Sequence, residues 1–243
     1  MKFLKAFVYI SMAAIFVVTT ANAVEKVTFA TFPIPLMVVD ENTGVFIELV
    51  KTISSRAGFE ISIQITPPVR TVSNFANNKA EVLFPAIDVF FPPDQKYLKS
   101  SEIIYVKTDF IFTRKGDPLF KTINDIEGKK VGITRGYPYA KALMENKSII
   151  FDIANGDEIN VRKLMAKRID VFVVEEKSGL KAFEDEGQLD QMHYDATSPV
   201  SKQDVFFAFQ ADARGKQLEQ LISKALLELK KDGTFGKIMA KAQ

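Results

Sequence analysis

The chain has 243 residues, with 32 Lys+Arg against 30 Asp+Glu, 47% hydrophobic residues, and neither Cys nor Trp. This excludes a disulfide scaffold, a thiolate metal site and a Cys nucleophile, and a near-neutral, apolar-rich chain is not a highly charged disordered one. The single histidine, His193, excludes histidine-cluster zinc sites, so neither a metal nor another cofactor is expected.

Met1 to Ala23 opens with Lys2 and Lys5, runs through apolar residues from Ala6 to Val18, and ends in Ala21-Asn22-Ala23. That is the layout of an export signal cleaved before Val24. An uncleaved membrane anchor is the alternative, opposed by an apolar run shorter than the ~20 residues a spanning helix needs. Cleavage leaves 220 residues of zero formal charge, with no bulk electrostatic reason to bind nucleic acid or anionic lipid. No later segment has the length and hydropathy to insert in a membrane. The expected location is outside the cytoplasm, and the lack of cysteine suits the periplasm.

Lys26 to Thr31 reads as a strand, with β-branched and aromatic residues alternating. A turn at Asp40 to Gly44 precedes Val45 to Ala57, whose Phe46, Leu49, Val50 and Ile53 fall at helical spacing, and Gly58 stands where a C-cap belongs. A strand over 59–65, a helix over 69–77 and a strand over 81–84 complete a β-α-β-α-β unit, which implies a parallel sheet. A second unit follows: a short helix over 119–126, a strand over 130–134, a helix over 139–144, a strand over 149–152, a helix over 158–166 and a strand over 170–174. The extended segments 103–113 and 205–209 flank this unit, and an amphipathic helix over 215–232 follows the second of them. The chain is therefore expected to leave lobe I (24–108), build lobe II (109–199) and return to lobe I (200–243).

Four stretches resemble a known family. Ile123 to Gly136, ending in Lys129-Lys-Val-Gly-Ile-Thr-Arg-Gly136, resembles the motif that opens the second lobe of the solute-binding proteins of ABC importers, family 3. Leu164 to Glu175, Ala225 to Ile238 and Phe75 to Phe84 are similar to three further motifs of that family, in the right order. The resemblance implies a two-lobed α/β fold of the periplasmic-binding-protein type II. Each lobe would be a mostly parallel sheet flanked by helices, joined by two hinge crossovers, with a small ligand in the cleft. It also implies a membrane permease as partner and a monomeric carrier.

The candidate ligand-binding residues are Phe32, Arg70, Asp88, Gln95, Arg135, Tyr137 and Glu175. Phe32 follows the first strand, where the resemblance implies an aromatic that stacks on the ligand; plain core packing is the alternative. Arg70 heads the second helix and is either a bidentate carboxylate clamp or a solvated surface residue. Asp88, after the third strand, meets a ligand amine or caps a turn. Gln95 stands where the family carries its carboxylate-binding Arg. A neutral amide cannot replace a guanidinium fork, so Arg70, Lys96 or Arg135 would have to supply the charge. Tyr137-Pro138-Tyr139 replaces the usual Ser or Thr after Gly136 and points to an aromatic-lined cleft. Glu175 takes the place of the family's amine-binding Asp, with helix capping as the alternative. His193 is expected at the surface or hinge. No catalytic residue is expected, although an enzyme on this scaffold, resembling cyclohexadienyl dehydratases and using Glu175 with Asp88, and a ligand-sensing periplasmic protein are the competing functions.

Overall fold

The computed structural model describes residues 26–242, so the export signal expected at Met1 to Ala23 lies outside the described residues. Strand β1 (Lys26–Thr31) leads through helix α1 (Val45–Ala57) to β2 (Glu60–Ile65), then through α2 (Pro68–Ala76) to β3 (Val82–Ala86). Both β2 and β3 pair with β1 in parallel. The short β4 (Tyr97–Lys99) precedes the long β5 (Tyr105–Arg114). The second unit is β6 (Lys130–Thr134), α3 (Lys141–Met144), β7 (Ile150–Ala154), α4 (Asp157–Met165), β8 (Val171–Glu175) and α5 (Glu176–Asp185). Here β6 pairs in parallel with β7 and β8. The chain returns through β9 (Met192–His193) and the long β10 (Ser201–Gln210) to α6 (Ala213–Lys231) and α7 (Thr234–Met239).

The two long strands make the crossover. Near residues 105–109, β5 pairs antiparallel with residues 201–205 of β10. Beyond that point they part: β5 continues alongside β8, and β10 continues alongside β3 and β4. The sheet order is β2-β1-β3-β10-β5-β8-β6-β7. Buried side chains segregate accordingly. Phe29, Phe84 and Phe207 pack with apolar residues of α1 and α6 on one side of the crossover. Phe110, Phe112, Phe172 and Phe183 pack on the other, with Val131, Ile133 and Val173 across the sheet. This is the two-lobed fold of periplasmic-binding-protein type II.

Local chemistry explains where elements begin and stop. Gly58 closes α1 in the left-handed region at φ 78°, its amide donating to the Ser54 carbonyl, a conformation that costs a residue without Cβ little. The α1 N-terminus has no side-chain cap. Its Val45 and Phe46 amides donate instead to the Leu36 and Met37 carbonyls, at 3.1 and 2.9 Å, of a loop folded back over the helix. Gly44 permits this approach, because a Cβ there would sit 2.3 Å from the Met37 carbonyl oxygen. Residues 119–126, expected as a helix, form only a single 3-10 turn at Asn124–Ile126. The Asp125 carboxylate accepts the Lys121 and Thr122 amides, both at 2.9 Å, and so competes with a helical ladder. The helix expected over 139–144 starts later, at Lys141, because Tyr139 turns inward and its hydroxyl accepts the Thr134 amide.

Candidate functional site

The carboxyl ends of β1, β3, β6 and β8 converge on one cleft, where open α/β sheets place their ligands. It encloses about 850 Å³ of empty space, part of it open to solvent. The first lobe contributes the Phe32–Met37 loop, Phe46, Pro68, Pro85, Ile87 and Phe90. The second contributes Gly136, Tyr137, Pro138, Glu175, Lys177 and Ser178, and the crossover strands add Tyr105, Lys107 and Val205. Phe32 meets Phe90 edge-on at 5.8 Å between centroids, and Phe46 meets Tyr105 at 6.3 Å. Apolar rings with a few convergent polar groups are the usual make-up of a small-molecule site.

Three of the seven expected residues line this cleft: Phe32, Tyr137 and Glu175. Glu175 closes β8 and is the N-cap of α5, the helix that its capping alternative implied; its carboxylate accepts the Ser178 amide at 2.9 Å. It also accepts the Tyr105 hydroxyl at 2.7 Å, so capping and cleft-lining coincide in one side chain. Burial, followed by the Glu175 charge, pushes the Tyr105 hydroxyl up, which keeps it a donor. The Tyr137 hydroxyl donates to Asp157 at 3.0 Å, which pins its ring in the wall.

The other four lie away from the cleft lining. On α2 the buried positions are Thr71 and Phe75, four apart, which turns Arg70 to solvent and leaves only Pro68 to touch the cleft. In the 3-10 turn Asp88–Phe90, Phe90 faces the cleft while Asp88, 62% exposed, pairs with Lys99 at 2.5 Å and takes the Tyr97 hydroxyl. Gln95 sits half-buried in a turn, its amide donating to the Pro92 carbonyl. Arg135 is exposed and donates through Nε to Asn155 Oδ1 at 2.9 Å.

Tyr105 and Lys107 were missed as cleft residues. The Lys107 ammonium pairs with the Asp109 carboxylate, both buried, and Asp109 also accepts the Ser201 hydroxyl at 2.6 Å. Lys107 Nζ lies 5.5 Å from the centre of the Tyr139 ring. Gln203 of β10 donates to the Pro138 carbonyl at 3.0 Å and so ties a crossover strand to the cleft loop. A signal existed in the sequence. Tyr105, Lys107 and Asp109 share one face of a strand by period two, and two charges inside an otherwise apolar crossover strand demand a buried partner.

Asp157, behind Tyr137, is held up at about 6 by burial first, with the Glu158 and Glu175 charges adding to it against hydrogen bonds from Thr134 and Tyr137. A carboxyl raised from 3.8 to about 6 on folding contributes stability that is complete below about pH 4 and is lost as pH rises through about 6. The expected gain on acidification from pH 7 to 4 is about 3 kcal/mol from this group. Asp157→Asn should remove that limb in urea unfolding midpoints measured across the range; identical profiles for the two proteins would refute the assignment.

Two α/β lobes, two antiparallel crossover strands and a cleft lined from both sides define the class: a bilobal binding protein of the periplasmic type II fold. The ligand-binding core of GluR0 from Nostoc punctiforme, in complex with L-glutamate, superposes with a TM-score of 0.71 at 23% identity over 88% of this chain and 98% of that one. The amino acid ABC transporter substrate-binding protein AbpA of Streptococcus pneumoniae, bound to L-arginine, gives 0.69 at 18% identity over 89% and 94%. The chain belongs to the bacterial extracellular solute-binding proteins, family 3, whose sequence pattern matches residues 26–242. The "Probable amino-acid-binding protein YxeM" of Bacillus subtilis strain 168 is 21% identical over 202 residues, 82% of this chain and 75% of YxeM. Binding a solute is the role that goes with this membership. Among the described residues, no helix is long and apolar enough to cross a membrane.

Proposed function

We propose that the chain is an exported carrier that captures a small polar solute, an amino acid or a related compound, between its lobes and delivers it to the permease of an ABC importer. The lobes are residues 24–108 with 200–243, and residues 109–199. The carrier works as a monomer in the periplasm after cleavage near Ala23. The observation that carries this reading is the cleft itself, because a guest touching walls from both lobes stabilises the closed form and not the open one. That difference lets a permease tell a loaded carrier from an empty one. The enzyme alternative is disfavoured, since Asp88, the acid it pairs with Glu175, is exposed and engaged by Lys99.

Native mass spectrometry of protein purified from its own host tests the reading, with X-ray scattering before and after removal of any bound molecule. A co-purified solute whose removal expands the particle supports it; superimposable curves in the presence of every recovered solute refute it. In the same assay Phe32→Ala is expected to reduce solute occupancy severalfold, whereas Arg70→Ala and Arg135→Ala leave it within about twofold, as exposed charges outside the cleft should. A severe loss with either arginine variant would return the carboxylate clamp to the site.

A further inference from the structure

Among the described residues, the Glu175 carboxylate in the cleft wall takes part in no ion pair. Lys107 is matched by Asp109, and Lys177 has an interaction of its own. Glu175 is met by two neutral donors, the Tyr105 hydroxyl and the Ser178 amide. These occupy about two of the four lone-pair positions a carboxylate offers. Among the described residues no arginine lines the cleft, and a ligand carboxylate approaching Lys107 would meet Asp109 in the same buried pair. Such an anion would lose its water without a guanidinium fork to replace it. The remaining wall is ring and proline: Phe32 against Phe90, Phe46 against Tyr105, and Tyr137. Ring faces attract both flat apolar bodies and cations.

We propose that the cleft selects a ring-bearing organic amine without an α-carboxylate, its ammonium held by Glu175 and its apolar body by Phe32, Phe90 and Tyr137. The inference rests on the solute-binding reading and narrows it. A zwitterionic amino acid brings the same amine but also a carboxylate, for which the described cleft wall offers no guanidinium fork and, at Lys107, a cation already paired with Asp109. The amine alone supplies the charge that Glu175 lacks.

Three probes that share a ring and chain test this by isothermal titration of the purified protein, freed of bound solute by unfolding and refolding: 2-phenylethylamine, L-phenylalanine and 3-phenylpropionate. The amine is expected to bind at least about tenfold more tightly than the other two, the discrimination one charge-assisted hydrogen bond provides. Equal or tighter binding of phenylalanine or phenylpropionate overturns the inference, and so does an absence of heat with the amine. Glu175→Gln keeps the side-chain length and an acceptor for the Ser178 amide, and it should weaken the amine about tenfold or more. A loss of less than twofold overturns the role of Glu175. These failures leave the carrier reading standing if scattering still shows closure on a host-derived solute; absence of closure on any solute rejects the carrier itself.

Discussion

Lys107→Met is expected to lower stability by about 3–5 kcal/mol, the cost of leaving a buried carboxylate without its cation. The partner, Asp109, has 1% of its side chain exposed and Lys107 11%, so water cannot take over the role of the ammonium. The remaining donor to Asp109, the Ser201 hydroxyl, carries no charge. Asp109 also lies opposite Glu175 in the β5–β8 register, which places a second acid on the neighbouring strand. For a chain of this length the loss corresponds to about 6–20 °C in melting temperature. The double variant Lys107→Met with Asp109→Asn removes both charges while keeping an acceptor for Ser201, and it should recover more than half of the loss. Urea unfolding of the single and double variants measures both. A single variant within about 1 kcal/mol of the parent would show that the pair is already hydrated in solution. The pair sits where β5 and β10 still run together, so its loss is also expected to loosen the crossover on which lobe movement depends.

Phe29→Ala should cost a comparable amount, about 3–5 kcal/mol, for a different reason. Phe29 is fully buried on β1 and touches three rings: Phe59 stacked at 6.1 Å, Phe84 edge-on at 5.7 Å and Phe207 edge-on at 6.4 Å. Truncation removes apolar area and opens a cavity that four strands and two helices cannot close without moving. The β1 strand carries Phe32 into the cleft just beyond this cluster. Solute affinity measured at temperatures where the variant is folded should therefore change less than its stability does. A loss below about 1.5 kcal/mol in chemical denaturation would mean that the core collapses into the space, contrary to the rigid packing of interiors.

Much of the architecture was legible because it follows from local periodicity. Alternating β-branched residues marked β1, the spacing of Phe46, Leu49, Val50 and Ile53 marked α1, and Gly58 marked its end at the φ the structure adopts. The misses have local causes of another kind. Asp125 diverts two amides from a helix, and the α5 helix, whose buried positions are Gly179, Ala182 and Phe183, is started by a glutamate that also faces the cleft.

The site was less legible because membership of a wall depends on angles about helix axes and on loop direction. One step of about 100° along α2 separates Arg70 from the buried Thr71, and one turn of chain sends Asp88 to Lys99 while Phe90 enters the cleft. Pattern and composition by themselves determined a near-neutral, cysteine-free α/β chain with repeated β-α-β units and two extended connectors. Only the tertiary structure decided which partners these groups meet, since pairing such as Tyr105 with Glu175 across 70 positions, or Ser201 with Asp109 across 92, is set by distances in space that no sequence spacing records.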